Sequence, residues 1–220
     1  MAHQLITTED GSHTIKISGQ RLTYHSRFGA VTESKHIYID AGLHYINKKR
    51  ISILEVGFGT GLNALLTLIE AEKNDLQVLY DVVELYPLDN AEVAALNYLS
   101  VLNASQYADA FTRMHESGWN VEVGITPHFR LKKVLGDICG VSLRGVYDVI
   151  YFDAFDPESQ PRLWTTEVFI KMFELTSCGG VLVTYSAKGR VRRAMAEAGF
   201  EVEKLAGPTG KREIVRAKKS

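Results

Sequence analysis

Residues 51–68 read ISILEVGFGTGLNALLTL: an apolar, β-branched run breaks into Gly57, Gly59 and Gly61 and resumes at helical spacing. Glycine reaches backbone conformations closed to other residues and lets another group approach the main chain directly. Strand, bare turn and helix in that order open a βα unit, and in open α/β sheets ligands sit outside the carboxyl ends of the strands. The feature points to a wound parallel sheet with something held against the turn.

Further β-branched runs follow at 77–85 (QVLYDVVEL), 128–136 (HFRLKKVLG), 146–155 (VYDVIYFDAF) and 180–186 (GVLVTYS), with helix-period segments between them. That is the βαβα pattern of a parallel sheet covered on both faces. FEVEKLA (200–206) and KREIVRAKK (211–219) flank GPTG and read as an antiparallel pair. A helix is predicted after Pro161, carried by Leu163, Trp164, Val168, Met172 and Phe173 and stopped by the glycines of SCGG (177–180). Another is predicted over about 189–198, with Val191, Ala194, Met195 and Ala198 inward and Arg190, Arg192, Arg193 and Glu197 outward. Near the N-terminus, HTIKISGQRLTYHS reads as a hairpin turning at Ser18 and Gly19, and SKHIYID (34–40) as a short strand. The expectation is a Rossmann-like α/β fold: a mostly parallel seven-stranded sheet with an antiparallel C-terminal strand over residues 46–220, and a small β appendage over residues 1–45.

A chain of 220 residues, 45% of them apolar, can bury one sizeable core. No apolar run approaches the roughly 18–20 residues that cross a bilayer, and MAHQLITTEDG lacks the features of a signal peptide, so a cytoplasmic location is expected. Cys139 and Cys178 have no CxxC partner and are expected as small core residues rather than a disulfide or zinc site. The histidines, five of seven before residue 50, show no metal-ligand spacing, and no metal is expected. Charge is segregated: residues 1–50 hold seven Lys/Arg and four Asp/Glu, 51–187 eight and eighteen, and 188–220 ten and four. Ends of +3 and +6 around a middle of −10 suit a polyanion docking beside an acidic fold, and suit equally a solvated basic face.

The glycine spacing discriminates between cofactors. A dinucleotide fingerprint has its third glycine five positions after the first. Here Gly61 is four after Gly57, and Glu55 stands two before it. E-x-G-x-G-x-G fits S-adenosylmethionine, which has no pyrophosphate. Glu84, closing the second strand beside Leu85, is placed for the ribose hydroxyls. Asp137, between Gly136 and Ile138, is placed for the adenine amino group, with Ile138 on the ring. Asn63 is a candidate for the methionine end, or an ordinary first-turn polar residue. Phe58, Phe155 and Tyr185 are candidate pocket walls, with plain core packing as the alternative for Phe58 and Tyr185.

After the fourth core strand, YFDAFDPESQPRLW carries Asp153 and Asp156 in a loop stiffened by two prolines. Taken in order, EVGFGTGLN, GD, FDAFDPESQPRLW, GGVLVTYSAKGRVRRAMAEAGFEV and GKRE, with FGAVTESKHIYIDAGL near the start, resemble the methyltransferase half of the bifunctional tRNA 5-methylaminomethyl-2-thiouridine biosynthesis proteins. The resemblance runs from about residue 27 to 219. It implies methyl transfer from S-adenosylmethionine to the amine of 5-aminomethyl(-2-thio)uridine at the wobble position of tRNA. Asp153, Asp156 and Phe155 are then the catalytic candidates, and Asp153, with Phe58 of the glycine turn, is also placed among the cofactor-binding residues. The family loop commonly reads D-G-F-x-P where this chain has D-A-F-D-P, so which carboxylate meets the amine stays open. The resemblance and the basic ends together suggest tRNA contacts at Glu33, Ser34, Lys35, Tyr185, Lys188, Arg190, Arg192, Arg193, Lys211 and Arg212. Bifunctional members continue into an FAD-dependent oxidase; this chain is expected to act as a stand-alone methyltransferase on tRNA that already carries a free aminomethyl group. Competing readings are an aminopropyltransferase of the spermidine synthase type, a non-catalytic RNA-binding module and a dinucleotide oxidoreductase.

Overall fold

The structure, a computed structural model, describes residues 3–19 and 22–220. Its centre is an eight-stranded sheet built from β3 (Arg50–Val56), β4 (Gln77–Glu84), β5 (Glu122–Thr126), β6 (Phe129–Leu135), β7 (Tyr147–Phe152), β8 (Thr176–Thr184), β9 (Glu201–Ala206) and β10 (Glu213–Lys218). The spatial order is β5-β6-β4-β3-β7-β8-β10-β9. The pairs β6–β4, β4–β3, β3–β7 and β7–β8 are parallel, while β5, β10 and β9 join antiparallel. The chain leaves β3 toward β4 on one side and returns to β7 on the other. The crevice between the carboxyl ends of β3 and β7 is therefore the topological switch point, where ligands of doubly wound sheets bind.

The alternation along β3 shows why the sheet is covered twice. Ile51 and Ile53 enter a core shared with α1 (Ala30–Ser34), α2 (Leu62–Asn74) and α5 (Ala108–Glu116). Leu54 and Val56 enter the opposite core, beneath α6 (Thr166–Leu175) and α7 (Gly189–Glu197). Each such fully buried aliphatic contributes about 2 kcal/mol by removal from water. Between β4 and α5 lie two further short helices, α3 (Asn90–Ala94), which opens with a capping box of Asp89 and Glu92, and α4 (Tyr98–Val101). No helix among the described residues is long and apolar enough to cross a membrane.

Several expectations are corrected. The sheet has eight strands, not seven: β5 is an edge strand with two buried or half-buried apolar residues, Val123 and Ile125, too few to register as a run. SKHIYID is helical, with α1 running into a π-helical turn (Lys35–Asp40). A strand would have turned Tyr38 away from Ile37 and Ile39, whereas the wide turn buries all three against α2 and β8. The β appendage is present as β1 (His3–Thr7) and β2 (His13–Ile17), an antiparallel pair. The predicted hairpin over 13–26 crosses residues 20 and 21, which lie outside the described residues. On its described part β2 takes β1 as ladder partner and makes one further bridge, Lys16 to Thr23. SCGG does not end a helix. After the turn Pro161–Trp164, α6 stops at Leu175 and β8 begins at Thr176, the glycines forming an irregularity in its register with β7. Cys139 and Cys178 are exposed, one in the loop after β6 and the other in that irregularity, so neither is a core residue.

Candidate active site

The glycine turn connects β3 to α2 across the switch point. Gly57, Gly59 and Gly61 have φ of 94°, 49° and 71°, a region that favours glycine. Close packing gives a second reason. A Cβ on Gly57 would stand 2.9 Å from the Asp153 carbonyl, on Gly59 2.8 Å from the Tyr24 ring, and on Gly61 2.6 Å from His115 Nε2. Main-chain bonds from Gly57 to Val83 and from Asp153 to Val56 draw the three strand ends together.

Two carboxylates stand at the end of β4 and just past the end of β6. Glu84 accepts from the N–H of Gly59 at 3.0 Å and of Tyr86 at 2.7 Å, which ties the glycine turn to the next strand. A carboxylate has about four acceptor sites, so two remain for hydroxyl donors. Asp137 accepts from Cys139 N–H at 2.9 Å and lies 3.4 Å from Arg162, and the adjacent Ile138 is buried. Gly136 donates its N–H to the Glu84 carbonyl, holding the two acids side by side. Leu85 is exposed at the rim.

Beneath the turn lies a chain of buried polar groups. Glu55 is fully buried, accepting from Asn63 Nδ2 at 2.8 Å and Tyr80 O–H at 2.9 Å. Asn63 Nδ2 also donates to Asp153 Oδ2 at 2.8 Å, and Tyr38 O–H donates to Asp153 Oδ1 at 2.6 Å. Burial, followed by the charge of Asp153, pushes the Glu55 carboxyl well above the usual range. Burial also raises Asp153, against the opposing influence of His25 and the bonds from Tyr38 and Asn63. Asn63 is thus a bridge between two acids. What it retains for a ligand is Oδ1, buried and without a partner among the described residues.

The second acid of the loop is differently employed. Asp156 accepts from Glu158 N–H at 2.9 Å and Ser159 O–H at 2.7 Å, with Lys188 4.0 Å away. These bonds outweigh its burial and hold its carboxyl below the usual range. Phe155 is anchored at both main-chain groups, by Gln160 and Trp164, and turns its ring toward Tyr24 at 5.1 Å. Phe58 is buried against His115, 4.9 Å between centroids. Tyr185 donates its O–H to the Ala154 carbonyl at 2.8 Å.

The expected tRNA contacts divide. Ser34 is fully buried and cannot reach a macromolecule, and Glu33 is almost so. Lys188 and Arg190 pair with Glu158 at 2.6 and 2.9 Å, and Arg192 turns back to the Ala187 carbonyl. Lys211 lies 3.2 Å from Glu33. Lys35, Arg193 and Arg212 are exposed and make no ion pair among the described residues.

Sequence reasoning missed Tyr38, hidden in a segment read as a strand, and Tyr24, which nothing around it marks. It also missed His115 and Lys133, whose placement depends on the packing of α5 against β6. Burial, with the Lys133 charge second, lowers His115 to about 4. Lys133, buried with its ammonium donating to the His115 carbonyl and 4.7 Å over the Trp119 ring, is lowered by burial to about 8.

A glycine turn at the switch point, acids at the next two strand ends and an unpaired Asn63 carbonyl make up a donor and acceptor set that fits an adenosyl amino-acid cofactor. The class is that of nucleoside-cofactor-binding α/β enzymes. The family model for S-adenosyl-L-methionine-dependent methyltransferases matches residues 104–220, just over half of the chain. The chain belongs to this family, and S-adenosylmethionine is its cofactor. It is 30% identical over 231 residues to the tRNA 5-methylaminomethyl-2-thiouridine biosynthesis bifunctional protein MnmC of Aromatoleum aromaticum, covering 98% of this chain and 35% of that protein. The chain spans about a third of the length of the curated relatives it matches. In fold it is similar to MNMC2 from Aquifex aeolicus, with a TM-score of 0.79 and 24% identity over all of this chain and 70% of that one. It is less similar to spermidine synthase from Thermotoga maritima, at 0.61 and 15% over 99% and 69%.

Proposed function

We propose that the chain methylates the primary amine of 5-aminomethyl(-2-thio)uridine at the wobble position of tRNA, giving the 5-methylaminomethyl product. The observation that carries this reading is Asp153: a buried carboxylate at the end of β7, beside the glycine turn and oriented by Tyr38 and Asn63. The name of the relatives, tRNA 5-methylaminomethyl-2-thiouridine biosynthesis proteins, supplies the substrate class.

When bound, S-adenosylmethionine supplies a sulfonium-activated methyl group. Glu84 and Asp137 would hold its adenosine, and Asn63 Oδ1 would accept from the amino-acid end. An alkylammonium has no lone pair with which to attack, so the acceptor must lose a proton first. Asp153 takes that proton, directly or through one water. Its raised affinity for protons brings it nearer to the amine than an exposed aspartate would be, and Tyr38 and Asn63 keep both oxygens in place while the proton moves. Phe155 and Tyr24 wall the crevice, so that alignment of acceptor and donor in a water-poor site supplies most of the rate. Of the two acids in the loop, Asp153 is the one assigned to the amine, since Asp156 is spent on the turn that follows it.

The test is methyl transfer from a labelled sulfonium donor to tRNA bearing free 5-aminomethyl groups, followed by nucleoside mass analysis. Label on the 5-methylaminomethyl nucleoside is the expected result. Transfer to another base, or to putrescine in a parallel reaction, would refute the assignment.

A further inference from the structure

Glu33 has a place in this site that its expected role as a surface contact to RNA does not explain. It is 8% exposed. One oxygen accepts from the Ser26 N–H at 2.9 Å; the other, Oε1, is buried and takes no hydrogen bond among the described residues. The cation facing that oxygen is Lys211 Nζ, 3.2 Å away. The same ammonium stands 4.6 Å from the centroid of the Tyr185 ring. A carboxylate and an aromatic face together recognise an alkylammonium. Lys211 itself is such a group, a primary ammonium on a methylene stem.

Its position near the reacting centre follows from the neighbours. Tyr185 is fastened to the Ala154 carbonyl, one residue from Asp153. The phenols of Tyr38 and Tyr185, raised chiefly by burial, lie in the fields of both Glu33 and Asp153. Lys211 is carried by the turn between β9 and β10, closed by Lys211 N–H to the Pro208 carbonyl, and the Phe28 ring lies against Gly210 of the same turn. With its side chain 28% exposed against 10% for Glu33, the lysine can withdraw outward and the glutamate cannot.

We propose that Glu33 and Tyr185 form the docking site for the acceptor's aminomethyl group in its ammonium form, and that Lys211 fills this site until the acceptor displaces it. This rests on the methyl-transfer reading above and adds to it a determinant of substrate choice. The aminomethyl amine, though less basic than lysine because it adjoins an electron-poor ring, arrives mainly as a cation at neutral pH, so the exchange leaves the buried carboxylate paired throughout. A uridine without the amine would displace Lys211 and strand Glu33 unpaired, which is strongly unfavourable for a buried charge. Selection for the aminomethylated base then comes from penalising its absence.

The experiment uses the whole chain with saturating S-adenosylmethionine and the nucleoside 5-aminomethyluridine, which has no phosphate for a lysine to hold. Glu33→Gln is expected to raise the KM for this nucleoside about tenfold or more, with kcat changed far less and with donor affinity and thermal midpoint unchanged. Lys211→Met, which retains the stem and removes the competing charge, is expected to lower that KM. An unchanged KM in Glu33→Gln, or a raised one in Lys211→Met, overturns the proposal even if methyl transfer itself proceeds. Absence of transfer to any aminomethyl acceptor by the unaltered chain overturns instead the reading it rests on. If Glu33→Gln lowers the thermal midpoint, Lys211→Met decides alone.

Discussion

Asp153 and Glu84 end the two strands that flank β3, one on each side of the same glycine turn, yet they are held by different groups. Glu84 takes its hydrogen bonds from the main chain of Gly59 and Tyr86, donors present in any sequence that makes this turn. Asp153 takes its own from the side chains of Tyr38 and Asn63, 115 and 90 residues earlier in the chain. One acid is fastened by local geometry and left with free acceptor sites, as suits a carboxylate that meets ligand hydroxyls. The other is buried and oriented by chemistry that must be assembled from afar, as suits a carboxylate that handles a proton. The comparison teaches that at this switch point one acid is held by the backbone and the other by packing, which on the proposed roles builds binding into the first and chemistry into the second.

The largest expected effect comes from removing the proton acceptor. Asp153→Asn should lower single-turnover methyl transfer about 100- to 10,000-fold while calorimetry finds donor binding within a few-fold of the unaltered chain. Comparable activity in this variant would break the division of labour outright. Next, Glu84→Ala should weaken donor binding about 10- to 100-fold, with kcat nearly restored at saturating donor. A large loss of kcat that persists at saturation would mean that Glu84 acts in the chemical step.

Tyr38→Phe sharpens the comparison through pH. The Tyr38 O–H favours the ionised form of Asp153, so deleting it raises the carboxyl further. The acidic limb of the kcat/KM profile, below which Asp153 is protonated and cannot accept, should then move to higher pH, with the plateau lowered about threefold to tenfold. A limb that stays in place would show that Tyr38 serves packing alone. The smallest effect is expected at Asp156→Asn, within about threefold in kcat/KM, since this acid bonds to its own turn. A loss equal to that of Asp153→Asn would make the two acids a working pair.

Much of this was legible in the chain. The glycine turn, Glu84 and Asp137 could be placed at the switch-point side of the sheet because each sits at the end of an apolar β-branched run, and the ends of such runs are where a parallel sheet presents its ligands. Asp153 was marked as a candidate in the same way, together with Asp156, and the sequence left open which of the two meets the amine. Three residues apart in one loop, they differ in which of them faces Tyr38 and Asn63. Tyr38 itself was misread because Ile37, Tyr38 and Ile39 mimic a strand, and only burial on all sides selected the π-helical turn. The basic residues were a fair guide to charge and a poor one to availability: Lys188 and Arg190 are taken up by Glu158, and Lys211 by Glu33.

Periodicity, glycine stereochemistry and strand-end acids are local properties, and so the parallel architecture, the glycine turn and the two strand-end carboxylates proposed for the ribose and adenine followed from the sequence by itself. Which acid is buried, which cation is already paired and which tyrosine reaches Asp153 depend on contacts between separate elements, 30 residues apart for Lys188 and Glu158 and 115 for Tyr38 and Asp153. Those contacts exist only once both faces of the sheet are covered, because the energies of charges and hydrogen bonds are set by the surroundings that packing creates.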